Sequence, residues 1–182
     1  RRQGQIYKFS YKFITMQTSA AMRRLGAEKR FLKQLVWVVF LIFYQSLTTI
    51  FAYLPPLIGI FFTYMITLTL QKQKTLKEFG KEWYFCLFYL TFAEQAHGFA
   101  LFSAVIAFML FYHFMSDWLI VTLKSRELLA VGFVASGYVW TCATSSFISY
   151  AANLPMLKFD YEYLIYVGVE SVLAVVLFRG RL

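Results

Sequence analysis

Charge is scarce in this chain, and acid scarcer still. Only 15% of the 182 residues are charged, and nine Asp and Glu stand against eighteen Lys and Arg. A soluble domain carries about 25% charged and about 45–50% apolar residues. Here 60% are hydrophobic and 21% aromatic, which makes the lipid bilayer the expected solvent. Cysteine is nearly absent. Cys86 and Cys142 each sit inside an apolar run, so a disulfide framework is unsupported and neither spacing resembles a metal site. Enzyme signatures are missing too: there is no G-x-S-x-G, no H-E-x-x-H, no Walker loop and no carboxylate pair at catalytic spacing. The expectation is a non-enzyme with no cofactor and no metal ligands. The net charge of +9 does not point to nucleic acid, because the basic residues flank apolar runs and form no nucleic-acid motif.

What is present is a series of apolar runs. The first covers about 35–54 and is broken by Pro55–Pro56. Others follow at 57–70, at two spans folded within 83–123, at 128–154 and at 161–178. The fold class expected is all-α: a polytopic membrane protein with six transmembrane helices over 35–182. A basic cytoplasmic tail precedes it at 1–34. Residues 7–13 of that tail alternate at period two, and residues 18–34 read as an interfacial helix. The chain opens on Arg1 rather than Met, so the natural start lies upstream or within the chain, at Met16 or Met22. No cleavable signal pattern is visible. Of the eighteen Lys and Arg, Lys158 alone falls among the turns 53–56, 94–98 and 155–160, and the other seventeen lie on the opposite side. Positive charge stays cytoplasmic, so both termini are expected inside and those turns outside.

The polar residues within the runs are the candidate sites. Glu94, His97 and Gly98 form the expected outward turn between spans three and four, with Gly98 allowing the reversal. Span three, counted from Trp83 to Ala93, reaches only about 17 Å. Glu94 and His97 therefore either order an ordinary turn or make a polar contact with a partner or substrate. Glu170 falls near mid-span, where an acid needs a partner. Gln45, Tyr44 and the polar face of span five are its candidate neighbours. A helix–helix hydrogen bond, a coupling role and a subunit contact all remain open. Gly137, Thr141, Ser145 and Ser149 recur every four residues and form a ridge of small side chains for helix packing. Thr144, one step of about 100° off that ridge, is expected to tolerate bulk better. His113 and Asp117, four apart on span four, share a helix face and read as a structural pair more readily than as a metal or proton site.

Six spans, cytoplasmic termini and minimal outer turns resemble the MreD family, the rod-shape-determining membrane proteins of bacteria. The resemblance covers roughly 35–182 and is carried by "YLPPLIGIFFTYMITL", "AHGFALFSAVIAFMLFYHF" and the ending "LAVVLFRGRL". Glu94 and Gly98 stand for the acid and glycine of the family's span three–four region. They are closer together here, and no Trp-Pro pair marks the last helix. The resemblance implies a fold like the substrate-binding S-component of energy-coupling-factor transporters. It also implies a non-catalytic scaffold of the cell-elongation machinery in the bacterial inner membrane, supporting side-wall peptidoglycan synthesis. The implied partners are MreC, a single-span protein, and through it RodA with its transpeptidase and the MreB filament. The alternative is an S-component or other small-solute transporter, but the outer loop at 53–56 is short for a lid.

Overall fold

The structure, a computed structural model, describes residues 32, 33, 35–51, 53–75, 79–155 and 161–179. Among these residues it is helical throughout, without strands. Seven helices follow in order: α1 (Leu35–Ile50), α2 (Ile58–Thr75), α3 (Lys81–Ala96), α4 (Ser103–Phe114), α5 (Ser116–Thr122), α6 (Arg126–Ala151) and α7 (Glu162–Phe178). Residues 7–13 and nearly all of 18–34, where an extended segment and an interfacial helix are expected, lie outside the described residues. One contact unit ends at Tyr44 and the next begins at Gln45, within α1. The unit Gln45–Leu182 contains the site described below.

Local chemistry sets the helix ends. Ser125 caps α6, its side chain accepting the Leu128 N–H at 3.3 Å, with Glu127 in the first turn. Lys72 and Lys74 occupy the last turn of α2, where a cation favours the carbonyl end of the helix dipole. α3 closes on Gly98 at φ +73°, and the Phe99 N–H reaches back to the Glu94 carbonyl at 2.9 Å. That is a helix stop with a left-handed glycine just past the end.

α6 is the central helix, packed against α4, α2 and α7. The core is aromatic: Phe62, Phe111 and Phe133 are fully buried, with ring centroids 5.6 Å apart for Phe62–Phe111 and 6.0 Å for Phe111–Phe133. Gly137 admits Phe62, since a Cβ there would lie 3.0 Å from the ring. The buried threonines of α2 return their hydroxyls to their own helix, Thr63 to the Gly59 carbonyl and Thr67 to the Thr63 carbonyl, both at 2.8 Å. The outside is apolar. Val121 and Leu164 are each 77% exposed and Phe147 72%, whereas Gln45, Glu94 and Glu170 are wholly buried.

Helices and expected spans do not correspond one to one. The fourth span breaks at Met115 into α4 and α5, bent by 57°. Ser116 turns its hydroxyl to the Tyr112 carbonyl at 2.7 Å, and Asp117 opens a new first turn. His113 and Asp117 consequently sit on different helices, both exposed, and the shared face expected of them is lost. Among the described residues α6 alone is long and apolar enough to cross a membrane by itself, and α4 with α5 passes that test as a bent pair.

Candidate functional site

A helix that starts inside a bundle has a problem that a helix starting at the surface lacks. Its first N–H groups have no intrahelical acceptor and no water. Two helices here are in that position. α2 begins beside Tyr138 and Glu170, both near the middle of their helices, so its start lies roughly 20 Å below the Ala151 end of α6. α4 begins beside Thr144 and Ser145, roughly 9 Å below that end. Neither helix is preceded by a side chain that can cap it. Leu57 and Phe102 occupy those places in left-handed conformation, at φ 61° and 64°. For such residues that region costs about 1–2 kcal/mol.

The two buried carboxylates supply what is missing. Glu170 of α7 accepts the Ile60 N–H through Oε2 at 3.0 Å and the Tyr138 hydroxyl through Oε1 at 2.5 Å. Gly59 makes room, because a Cβ there would lie 2.7 Å from Val134 Cγ1 and 2.9 Å from Glu170 Oε2. Glu94, in the last turn of α3, does the same for α4. Its Oε1 accepts the Ala104 N–H and, at 2.8 Å, the Ser103 hydroxyl. Its Oε2 has no hydrogen-bond partner among the described residues. Both acids thus stand at the positive end of a helix dipole, each from a different helix than the one it caps.

Glu94 was expected in the outward turn. It lies in the last turn of α3, which runs from Lys81 to Ala96, and is wholly buried against the start of α4. Gln45 was expected near Glu170. It lies instead with α3: its Nε2 is 3.0 Å from His97 Nδ1, and its Oε1 accepts the Tyr89 hydroxyl at 2.9 Å. The same hydroxyl is 3.1 Å from the Pro56 carbonyl, and His97 Nδ1 is 3.1 Å from the Ala93 carbonyl. Nδ1 of His97 thus faces a donor in Gln45 and an acceptor in the Ala93 carbonyl, and its own role follows the tautomer. His97 Nε2 is buried without a partner among the described residues.

The small-residue ridge of α6 faces inward. Gly137, Thr141, Ser145 and Ser149 are all buried, with Gly137 against Phe62 and the Ser145 hydroxyl oxygen accepting the Ala100 N–H at 2.9 Å. Thr144 is no bystander either. It is buried, and its one hydroxyl proton has the Trp140 carbonyl at 2.7 Å and the Ser103 carbonyl at 2.9 Å within reach, so a Leu there meets the same packed interior as one on the ridge. Among the described residues no group of three or more His, Cys, Asp and Glu comes together as a metal site. No protein-family model, curated protein or solved structure matches the chain.

Tyr138, Tyr89 and Ser103 belong to the site and escape a reading by pattern. Ser103 carried a usable signal, a serine opening the run "SAVIAFMLF" as a helix-start residue would. The tyrosines carried none, since nothing local separates them from the other eleven.

Proposed function

We propose that this chain is a six-span protein of the bacterial inner membrane with both termini cytoplasmic. In this reading it is a non-catalytic scaffold of the MreD type that holds an MreC-like single-span protein within the cell-elongation machinery. The observation that carries the membrane reading is the inverted distribution of polarity. Leu, Val and Phe side chains cover the outside, while two acids are enclosed and spent on helix starts. α3 and α7 have 16 and 17 residues, or about 24–26 Å, slightly under a hydrocarbon core of about 30 Å, whereas α2 starts inside the bundle and covers its cytoplasmic side. Tilt is unnecessary for spans of that length, and local thinning accommodates them.

The same geometry favours a scaffold over a solute carrier. A carrier reading needs Glu94 and His97 at the outer mouth, yet Glu94 is fully buried and its Oε1 is committed to α4. Two measurements test the proposal. A cysteine at exposed Gln95 should be labelled from outside intact cells, and one at exposed Lys74 only after permeabilisation. The chain should also co-purify with an MreC-like protein from native membranes, and its loss should round rod-shaped cells. Reversed labelling rejects the topology. Wild-type shape with lost uptake of a small solute rejects the scaffold in favour of the carrier.

A further inference from the structure

A groove of about 310 Å³ opens between the last turn of α2 and the first turn of α3. That is the lower end of the size range of small-molecule sites, about 300–1,000 Å³. Leu68, Phe79 and Trp83 form its wall, and Lys72 and Lys74 stand on its rim. We propose that this groove holds the phosphate headgroup of an anionic phospholipid of the inner leaflet, with the first part of an acyl chain against Leu68 and Trp83. The proposal rests on the membrane reading above, which puts the α2–α3 connection at the cytoplasmic surface.

Each part of the groove fits one part of such a lipid. The aromatic wall is held from both helices: Phe79 and Trp83 lie 4.6 Å apart between ring centroids, and the indole N–H donates to Thr69 Oγ1 on α2 at 3.3 Å. Lys72 Nζ sits 3.4 Å from the centroid of the Phe79 ring. Its stem therefore follows apolar surface while the ammonium remains at the opening. Lys74 is exposed beside it. Glu82 also lines the groove, but its carboxylate accepts the Tyr64 hydroxyl at 2.8 Å. Two ammonium groups against one carboxylate leave the opening net positive. A free anion would use the lysines alone, whereas a phospholipid uses the lysines and the apolar wall together. The cytoplasmic leaflet is also where anionic headgroups lie.

Native mass spectrometry of the full chain in detergent, titrated with phosphatidylglycerol or phosphatidylcholine, tests the assignment. The wild type should take up a first phosphatidylglycerol well ahead of phosphatidylcholine. Lys72→Gln and Lys74→Gln should each weaken that first binding about fivefold, the usual worth of one surface lysine at an anionic membrane, and leave phosphatidylcholine unchanged. Lys124→Gln, between α5 and α6, should keep the wild-type preference. Trp83→Ala should weaken both lipids. An undiminished preference in the Lys72→Gln, Lys74→Gln double variant, with wild-type helicity, would overturn the site. Displacement of the bound lipid by millimolar inorganic phosphate would overturn the lipid in favour of a free anion. The membrane reading fails separately, if the chain stays soluble and monomeric without detergent.

Discussion

Glu94 and Glu170 are two buried acids with one task and different surroundings. Each caps a helix that begins inside the bundle after a left-handed, non-glycine residue. Glu170 uses both oxygens, between the α2 start and the Tyr138 hydroxyl, deep against α6. Glu94 uses one, and its Oε2, like His97 Nε2, is buried without a partner among the described residues. The difference separates a closed structural joint from an open one. A wholly buried acid invites a functional reading by default, but an acid with both oxygens engaged has little left to offer a solute. Of the two, only the Glu94 side retains unspent polar capacity.

The largest effect should come from removing the acids. Glu170→Ala strands the Ile60 N–H and the Tyr138 hydroxyl in the interior, at about 1–3 kcal/mol for each orphaned group. The expected loss is about 4 kcal/mol, read as the midpoint shift of an SDS unfolding titration. Glu94→Ala strands the Ala104 N–H and a Ser103 hydroxyl that is free to turn to another acceptor, so about 2 kcal/mol is expected. Equal losses at the two positions would mean that the closed and open joints do not differ in energy.

Overpacking comes next. At the closed joint, Gly59→Ala drives a methyl into Val134 and the Glu170 carboxylate. At the open one, Ser145→Leu forces a large side chain against the α3–α4 turn, whose Ala100 N–H it also deprives of an acceptor. Both should cost about 2–3 kcal/mol. Ala143→Leu, on the exposed face of α6, is the control that Thr144 cannot be, and should be close to neutral. Wild-type melting for Ser145→Leu would remove the ridge from the packing.

Much of this arrangement was legible in the sequence, in proportion to how local its cause is. Helicity, the Pro55–Pro56 break, the Gly98 reversal and the four-residue spacing of the α6 ridge depend on neighbours a turn or less away. The kink at Met115 is almost as local, but Ser116 and Asp117 were absorbed into a longer apolar run. The caps were not legible. Ile60 and Glu170 are 110 residues apart, and no periodicity links them. Leu57 and Phe102 gave no warning of positive φ, since only glycine or asparagine usually advertises it. That Glu170 needed a partner followed from its depth, whereas the identity of the partner depended on which helix starts where.

The smallest effect is the most discriminating. Glutamine keeps one acceptor and turns the other into a donor, so its cost depends on whether both oxygens were in use. At position 170 the amide oxygen would take the Ile60 N–H, and the amide nitrogen would face the Tyr138 oxygen. The tyrosine then loses the acceptor for its own proton, and Glu170→Gln should cost about 1–2 kcal/mol. At position 94 a single oxygen accepts from both Ser103 and Ala104. The amide oxygen can do that alone, and the NH₂ takes the place of an oxygen with no partner among the described residues, where it is a buried donor without an acceptor. No bond within the chain is lost, and a buried charge is no longer required. Glu94→Gln should therefore cost about 1 kcal/mol, the lower end for a buried donor without an acceptor and less than Glu94→Ala. A loss as large as that of Glu94→Ala would mean that Oε2 accepts a bond from outside the chain, and the acid would then be the contact through which a partner is held.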